Sequence, residues 1–145
     1  MCSSDLLAAI AAVKFGEFTV VVDGTPWGAT FPVVTDLAIS PAGGRVAALG
    51  NDRNTNFAVL CDGKVWPGRY DMAWPLVWSP DGAHLAVTVE RGGKFTVVCD
   101  GKAYAQSFDK CFQPAFSPDG TKVLIRAIAD GKLHRIVAPV EAFTG

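Results

Sequence analysis

Residues 18–24 read Phe-Thr-Val-Val-Val-Asp-Gly, and this stretch decides the fold because the chain contains it three times. Phe-Ala-Val-Leu-Cys-Asp-Gly occupies residues 57–63, and Phe-Thr-Val-Val-Cys-Asp-Gly occupies residues 95–101. The copies are separated by 39 and then 38 residues. A period near 40, made of strand-like segments and turn residues, indicates one supersecondary unit copied in tandem, most often a propeller blade.

A second motif has the same spacing and marks a turn. Ser-Pro-Ala-Gly or Ser-Pro-Asp-Gly begins at Ser40, Ser79 and Ser117, and Pro presets φ for the second position of such a turn. Each copy continues with an apolar run, a short polar hairpin, the Phe-led strand and its Asp-Gly turn. A brief segment with an aromatic residue and a last strand complete the unit. Four strands joined by loops this short predict an antiparallel four-stranded sheet.

The Phe-led strands are apolar on both faces. Phe18, Val20 and Val22 alternate with Thr19 and Val21, and the second copy also has Ala and Leu on the second face. A strand with two apolar faces is buried on both sides, and antiparallel sheets reach that state when blades stack around an axis. We therefore predict an all-β fold of β-propeller type, since a flat meander or a single barrel would show strict alternation.

The repeat count predicts an incomplete propeller in one repeat domain, residues 1–145. Full four-stranded blades are assigned to residues 18–56, 57–94 and 95–132, with partial repeats at 1–17 and 133–145. Residues 2–5, Cys-Ser-Ser-Asp, resemble a degenerate Ser-Pro-Asp-Gly turn. Closed propellers have about 4–8 blades. We therefore expect further repeats, from a longer chain or by self-association.

The two ends of the array are expected to differ. His134 and Arg135 stand where the other copies have Thr or Ala and then Val. Both polar residues are expected to remove the apolar character of one face of the last copy. Exposed apolar surface is then expected on the N-terminal side, around Leu6–Val22, where it would favour dimerisation.

Composition excludes several functional classes. The 145 residues include 13 Lys and Arg against 14 Asp and Glu, so no basic block suggests nucleic-acid binding. No uncharged apolar run approaches the roughly 20 residues of a membrane span. Leu6–Val13 is apolar but lacks a preceding positive charge, so it is not a typical signal peptide. These features predict a soluble, cytoplasmic protein.

No catalytic or cofactor motif is present in the sequence. Cys2, Cys61, Cys99 and Cys111 lack zinc-ligand spacing, and the Val-or-Cys alternation at one repeat position indicates buried free thiols. The repeated Asp-Gly residues fit turns better than calcium sites. The two histidines, His84 and His134, have no neighbouring ligands in sequence. We expect a non-enzymatic chain that binds no haem, flavin or metal.

Three aromatic residues are candidates for partner contact. Trp27, Trp66 and Tyr104 follow the Asp-Gly turn at the same repeat position, and amphipathic aromatics near loop ends suit an interface rim. Packing within the protein is an equally strong interpretation for them. Trp74 and Trp78, four residues apart, fit packing between blades better, although Pro75 favours an irregular strand there.

The Ser-Pro-Asp-Gly repeats resemble those of TolB-type and WD-repeat propellers. A narrower resemblance rests on Val22–Trp27 with Phe31, on Val46–Ala48 and on Thr121–Pro139. These segments are similar to the D-subunit family of the transmembrane redox complex (Tmc) of sulfate-reducing bacteria. The chain resembles the C-terminal portion of that longer family, but it has Thr35 where Trp is usual and Ala103-Tyr104 where Pro-Trp is usual.

Three functions follow as hypotheses. The Tmc resemblance implies a non-catalytic, cytoplasmic scaffold subunit in a membrane-associated electron-transfer complex, beside a membrane cytochrome and an iron–sulfur protein. The family motif includes no catalytic or cofactor-binding residue. The alternatives are a propeller that acts as a hydrolase or is attached to one, and a TolB-like binding module.

Overall fold

The computed structural model describes residues 7–41, 44–52 and 56–144. Within them lie sixteen strands and one short 3-10 helix. In chain order these are β1 Ala8–Lys14, β2 Glu17–Val22, β3 Thr25–Pro26, β4 Val33–Ile39, β5 Val46–Asn51, β6 Phe57–Cys61, β7 Lys64–Val65, β8 Met72–Ala73, β9 Val77–Trp78, β10 Leu85–Arg91, β11 Lys94–Cys99, β12 Lys102–Ala103, β13 Lys110–Cys111, β14 Ala115–Phe116, β15 Lys122–Ala129, β16 Lys132–Pro139 and the helix Val140–Ala142.

The strands form four antiparallel sheets in chain order. The first sheet contains β1–β3, the second β4–β7, the third β8–β12 and the fourth β13–β16. Each is built around a long hairpin, and in the first three sheets a two-residue strand follows the Asp-Gly turn at one edge. The predicted all-β, propeller-type class is confirmed.

The strand before each Ser-Pro turn is irregular. In the third sheet it stops at Ala73 and resumes at Val77, so β8 and β9 pair separately with β10. The irregularity expected beside Pro75 is therefore present, since Pro has no N–H to donate to the ladder. In the second sheet β4 is continuous, but its register shifts between Thr35 and Ala38, where Asp36 has a φ of 57°.

The sheets divide the chain at different points from the sequence repeats. A repeat counted from a Phe-led strand starts in the middle of one sheet and ends in the middle of the next. Each repeat thus ties two sheets together. The repeat boundaries and the single-domain assignment stay predictions, and the degenerate turn at residues 2–5 lies outside the described residues.

Three apolar cores lie between successive sheets. The first joins the first two sheets through residues such as Val20, Val46 and Leu60. The second joins the second and third sheets through Leu49, Val59 and Val87, among others. The third joins the third and fourth sheets around Phe108, Val123 and Ile125. In the part of the chain that the structure describes, no core connects the fourth sheet back to the first.

Burial on both faces holds for the middle sheets and fails at the two ends. All residues of β5 are buried, as are the first five of β10. Large apolar side chains are instead exposed on the first hairpin and on the fourth sheet. The first hairpin exposes Leu7, Ile10, Val13 and Phe15, and the fourth sheet exposes Phe112, Leu133 and Val137.

The expectation that His134 and Arg135 together blunt the last face is wrong in two respects. Neighbouring residues of a strand point to opposite faces, so only Arg135 lies on the outer face of the fourth sheet. His134 points inward, with its ring 6.4 Å from that of Phe108. The outer face also retains Leu133 and Val137, which are 73% and 61% exposed. Exposed apolar surface therefore occurs at both ends.

Candidate functional site

The three candidate aromatics are held by the same backbone contact. The amide of Trp27 donates to the Val20 carbonyl, that of Trp66 to Val59 and that of Tyr104 to Val97, each at 2.9 Å. This bond fixes the backbone of each aromatic residue beside the middle of the preceding Phe-led strand, at the point where the following loop begins.

The Asp-Gly turns that precede these aromatics are built by the aspartates. Asp23, Asp62 and Asp100 have φ values of 50° to 53°, a left-handed conformation that Asp tolerates better than most residues. Their Oδ1 atoms accept hydrogen bonds from the amides of Leu7, Val46 and Leu85, respectively. The carboxylate thus joins the turn to the start of the neighbouring long strand, and the interpretation as structural turns fits these bonds.

Each aromatic packs at a junction between sheets. A Cβ added at Gly63 would lie 3.6 Å from Cδ1 of Trp27, and one at Gly101 would lie 3.6 Å from Cγ of Trp66. Each indole therefore covers the Asp-Gly turn of the next sheet. Tyr104 instead packs on Phe143, with ring centroids 5.3 Å apart. All three side chains remain partly exposed.

The candidate aromatics do not form one surface patch. Trp27 packs against the first inter-sheet core, Trp66 against the second and Tyr104 against the third. Their role in partner contact stays a prediction. Trp78 is buried at the second core, and its Nε1 donates to the Ala38 carbonyl at 3.2 Å. The ring of Trp74 lies 5.4 Å from that of Phe95.

The pair of His84 and Asp100 has the appearance of a catalytic dyad, but the repeat explains it. His84 Nδ1 lies 2.6 Å from Asp100 Oδ2. At the same position of the preceding copy, Arg45 Nε donates to Asp62 Oδ2 at 2.8 Å. A guanidinium cannot act as a general base at ordinary pH. The shared feature is a basic side chain that binds the turn aspartate, which is a structural role.

The thiols are buried and unpaired, as predicted. Cys61, Cys99 and Cys111 are free and buried, whereas Cys2 lies outside the described residues. Burial raises the thiol pKa to about 11 for Cys61 and Cys111 and to about 12 for Cys99. Since the thiolate is the reactive form, these cysteines are poor nucleophiles.

The aspartates of the Ser-Pro turns are occupied by hydrogen bonds within the turn. Asp119 Oδ1 accepts from the Ser117 hydroxyl at 2.6 Å and from both the amide and the hydroxyl of Thr121. These bonds lower the pKa of Asp119 to about 2. Asp81 accepts equivalent bonds from the Ser79 hydroxyl and the Ala83 amide.

A cleft of about 500 Å³ lies between the third sheet and the connection that leads into it from the second sheet. We call it the Tyr70 groove. Its lining residues are Pro67, Gly68, Tyr70, Val89, Arg91, Lys94, Thr96, Gly101, Ala103 and Ser107. Two cationic residues and no Asp or Glu are among them. The size falls within the usual range of small-ligand sites, about 300–1,000 Å³.

The cationic wall of the groove is fixed by short contacts. The Arg91 guanidinium lies over the Tyr70 ring, 5.1 Å from its centroid, and its Nε and Nη2 donate to the Arg69 carbonyl at 3.1 and 2.9 Å. Lys94 Nζ is paired with Asp109 at 2.7 Å. Burial raises the pKa of Tyr70, so its hydroxyl keeps its proton and can donate.

Sequence reasoning missed this groove. Tyr70 occupies a repeat position that holds Phe31 and Phe108 in the other copies. The signal that could have found it is departure from the repeat, since the hydroxyl has no counterpart in the other copies.

Among the described residues, no helix is long and apolar enough to cross a membrane.

Comparisons with known proteins address the fold only. No family model matches the chain, and no curated protein matches it in sequence. Among solved structures, TolB from Acinetobacter baumannii is similar with a TM-score of 0.51 and 15% identity, over 95% of this chain and 39% of TolB. A protein assigned as a 6-phosphogluconolactonase from Bacteroides uniformis has a TM-score of 0.39 and 15% identity, over 96% of this chain and 56% of that protein.

The chain thus spans well under half the length of the TolB structure that it matches. At 15% identity the likeness is informative about architecture and not about activity. It shows that the four sheets form a β-propeller-type array.

Proposed function

We propose that the chain is a non-catalytic scaffold that binds proteins through the outer faces of its first and fourth sheets. The observation that carries this proposal is where exposed apolar side chains lie. Among the described residues, seven of the nine exposed large hydrophobic residues belong to the first hairpin or the fourth sheet. Leu133 and Val137 lie on the outer face of the fourth sheet, whereas Ile10 stands opposite Val20 of the first core and faces the second sheet. Concentrated apolar surface of this kind marks interaction sites.

The occupant that fits these faces is another sheet of the same type, supplied by a second copy of the chain. Within the chain, the same two kinds of face pack on each other at every junction. By the strand register, the outer face of the fourth sheet corresponds to the face of the second sheet that packs on the third, and to the face of the third that packs on the fourth. Likewise, the outer face of the first sheet is equivalent to faces that pack on a preceding one.

Side-chain size supports the match between the two outer faces. On the fourth sheet, Arg126 and Arg135 stand opposite each other, where the second sheet has the smaller Leu49 and Val59. On the first sheet, Ala9 and Ala11 stand where the third has the larger Val87 and Val89. Long side chains on one face would therefore meet small ones on the other. Two copies joined head to tail would close a ring of about eight sheets, within the range of known propellers.

The test is the mass of the purified chain in solution, measured by size-exclusion chromatography with light scattering over a range of concentrations. We expect a dimer that dissociates when Leu133→Ser and Val137→Ser are combined, because these changes remove apolar area from the outer face. Ile39→Ser is the matched control, since Ile39 is exposed but lies on the second sheet. A wild-type chain that stays monomeric at high concentration contradicts the proposal.

A finer proposal is that this scaffold belongs to a membrane-associated electron-transfer complex. Its support is the sequence resemblance to the D-subunit family of the Tmc complex. The test is affinity purification of the tagged chain from a sulfate-reducing bacterium. We expect a co-purifying cytochrome, identified by its haem absorbance, together with iron and sulfide in stoichiometric amounts. Recovery of the chain without haem or iron would exclude this assignment. It would not affect the scaffold proposal, which the mass measurement tests separately.

A further inference from the structure

At the Tyr70 groove, several residues differ from their equivalents in the other copies of the repeat. In a tandem array, a residue that departs from its equivalents is not required by the shared architecture, because the other copies fold without it. Tyr70 replaces the Phe of the other copies, and Arg91 stands where they have Asp52 and Ala129. Arg69 stands where they have Thr30 and Ser107. Tyr70 and Arg91 line the groove, and the backbone carbonyl of Arg69 accepts the hydrogen bonds of Arg91.

Gly68 is a further departure, and it is coupled to Tyr70. The equivalents of Gly68 are Ala29 and Gln106, which both have a Cβ. A Cβ at Gly68 would overlap the Tyr70 hydroxyl and would lie 2.6 Å from its Cζ. Glycine is therefore needed here for space, and the space is taken by the hydroxyl group. The hydroxyl and the room for it occur together only in this copy.

The donors in the groove exceed the acceptors that the protein supplies. Arg91 has five N–H donors, and its described bonds all go to the single carbonyl of Arg69. The Nη1 edge of the guanidinium takes part in none of them. Tyr70 adds a protonated hydroxyl in a side chain that is 6% exposed. Guanidinium and hydroxyl donors set beside each other are suited to an oxyanion.

The charge of the groove favours a group with one negative charge. Lys94 is already paired with Asp109, so Arg91 supplies the uncompensated charge among the lining residues. Val89, Ala103 and Pro67 provide apolar surface beside it. We propose that the Tyr70 groove binds a carboxylate attached to a short apolar stem. Such a group can come from a small carboxylic acid or from a glutamate side chain of a peptide.

The test is nuclear magnetic resonance titration of the ¹⁵N-labelled chain. The two probes are sodium butyrate and a short peptide with one central glutamate. Butyramide and the same peptide with glutamine are the neutral controls. We expect saturable shifts of the Gly68, Gly92 and Gly101 amides with at least one carboxylate probe and with neither control. Saturation by butyrate identifies the bare carboxylate as sufficient, and saturation by the peptide alone identifies a peptide ligand.

Variants separate this site from general charge effects. Arg91→Gln should weaken binding about tenfold or more, because a charged hydrogen bond is lost. Tyr70→Phe recreates the side chain of the other copies, so the fold should persist while binding weakens several-fold. Lys64→Gln removes one positive charge from the exposed edge strand of the second sheet, outside the groove lining, and should bind as the wild type does. Thermal unfolding of each variant confirms that it is folded.

Two results would overturn the proposal. One is the absence of saturable shifts at the three glycines with both carboxylate probes. The other is equal binding by the folded Arg91→Gln and Lys64→Gln variants. Because the groove lies away from the two outer faces, neither result depends on whether the chain forms dimers.

Discussion

The indole of Trp66 lies against Gly101, so that a Cβ on this glycine would be 3.6 Å from Cγ of the ring. The two residues belong to different sheets, and Gly101 sits at a φ of 84°. The contact means that Trp66 stabilises the junction between the second and third sheets, whatever else the exposed part of its ring binds.

Trp66→Ala should therefore destabilise the folded chain. We expect a loss of about 2 kcal/mol in the free energy of unfolding, below the value for a fully buried Trp because the ring is partly exposed. Urea denaturation followed by circular dichroism measures it. Trp66→Phe is the control and should lose less, since part of the ring contact is kept. An unchanged midpoint for Trp66→Ala would contradict a stabilising role of the indole at this junction.

Gly68→Ala should destabilise the chain by about 1–3 kcal/mol, since the new methyl group overlaps the Tyr70 side chain. The double variant with Tyr70→Phe should recover part of this loss, because the hydroxyl is removed and the pair then matches Ala29 and Phe31. A double-mutant cycle on urea midpoints measures the coupling. Strict additivity of the two changes would contradict the steric link.

The buried thiols make stability sensitive to alkaline pH. Their folded pKa values, about 11 to 12, lie above the ordinary value of 9.0. Below pH 9 the thiols are protonated in both the folded and the unfolded chain, so their full contribution to stability is present. Above it the unfolded state loses protons first, so stability falls as the pH rises towards the folded values.

Urea midpoints measured between pH 8 and 11 test this sign. We expect a decline across that range and a shallower decline for Cys99→Val, because Val22 occupies the same position in the first copy. Thiol labelling at pH 8 should also be slow until the chain unfolds. Rapid labelling of the folded chain would show that these cysteines are accessible.

His84→Arg should leave stability within about 0.5 kcal/mol of the wild type, because surface ion pairs contribute little and the new pair copies Arg45 with Asp62. Thermal unfolding at neutral pH measures it. His84→Ala should cost slightly more, since Asp100 loses its side-chain partner. A large loss in the Arg variant would show that the imidazole has a role that the repeat does not explain.

Much of the fold could be predicted from the sequence because its signals are local. The Asp-Gly turns, the Ser-Pro turns and the two-faced strands each depend on a few neighbouring residues. The side that each residue faces was harder to predict. His134 and Arg135 are adjacent and look alike in sequence, yet one lies inside and the other outside. Sheet packing, which depends on distant residues, decides between them.

The candidate site was predicted in part. Trp27, Trp66 and Tyr104 occupy one repeat position, and that regularity placed them correctly beside the Asp-Gly turns. The Tyr70 groove was missed because its residues come from separate segments. Arg91 reaches the Arg69 carbonyl across 22 positions of the chain, and no short motif contains both.

Because the three cores are separate, each sheet is stabilised only by the sheets next to it. Energy in such an array is a sum over junctions, so the chain need not open all at once. Among the described residues, the first core has five buried residues, against twelve in the second and ten in the third. The first hairpin is therefore expected to separate from the rest of the chain with the lowest free energy of opening. Its backbone amides would exchange with solvent while the central sheets are still closed.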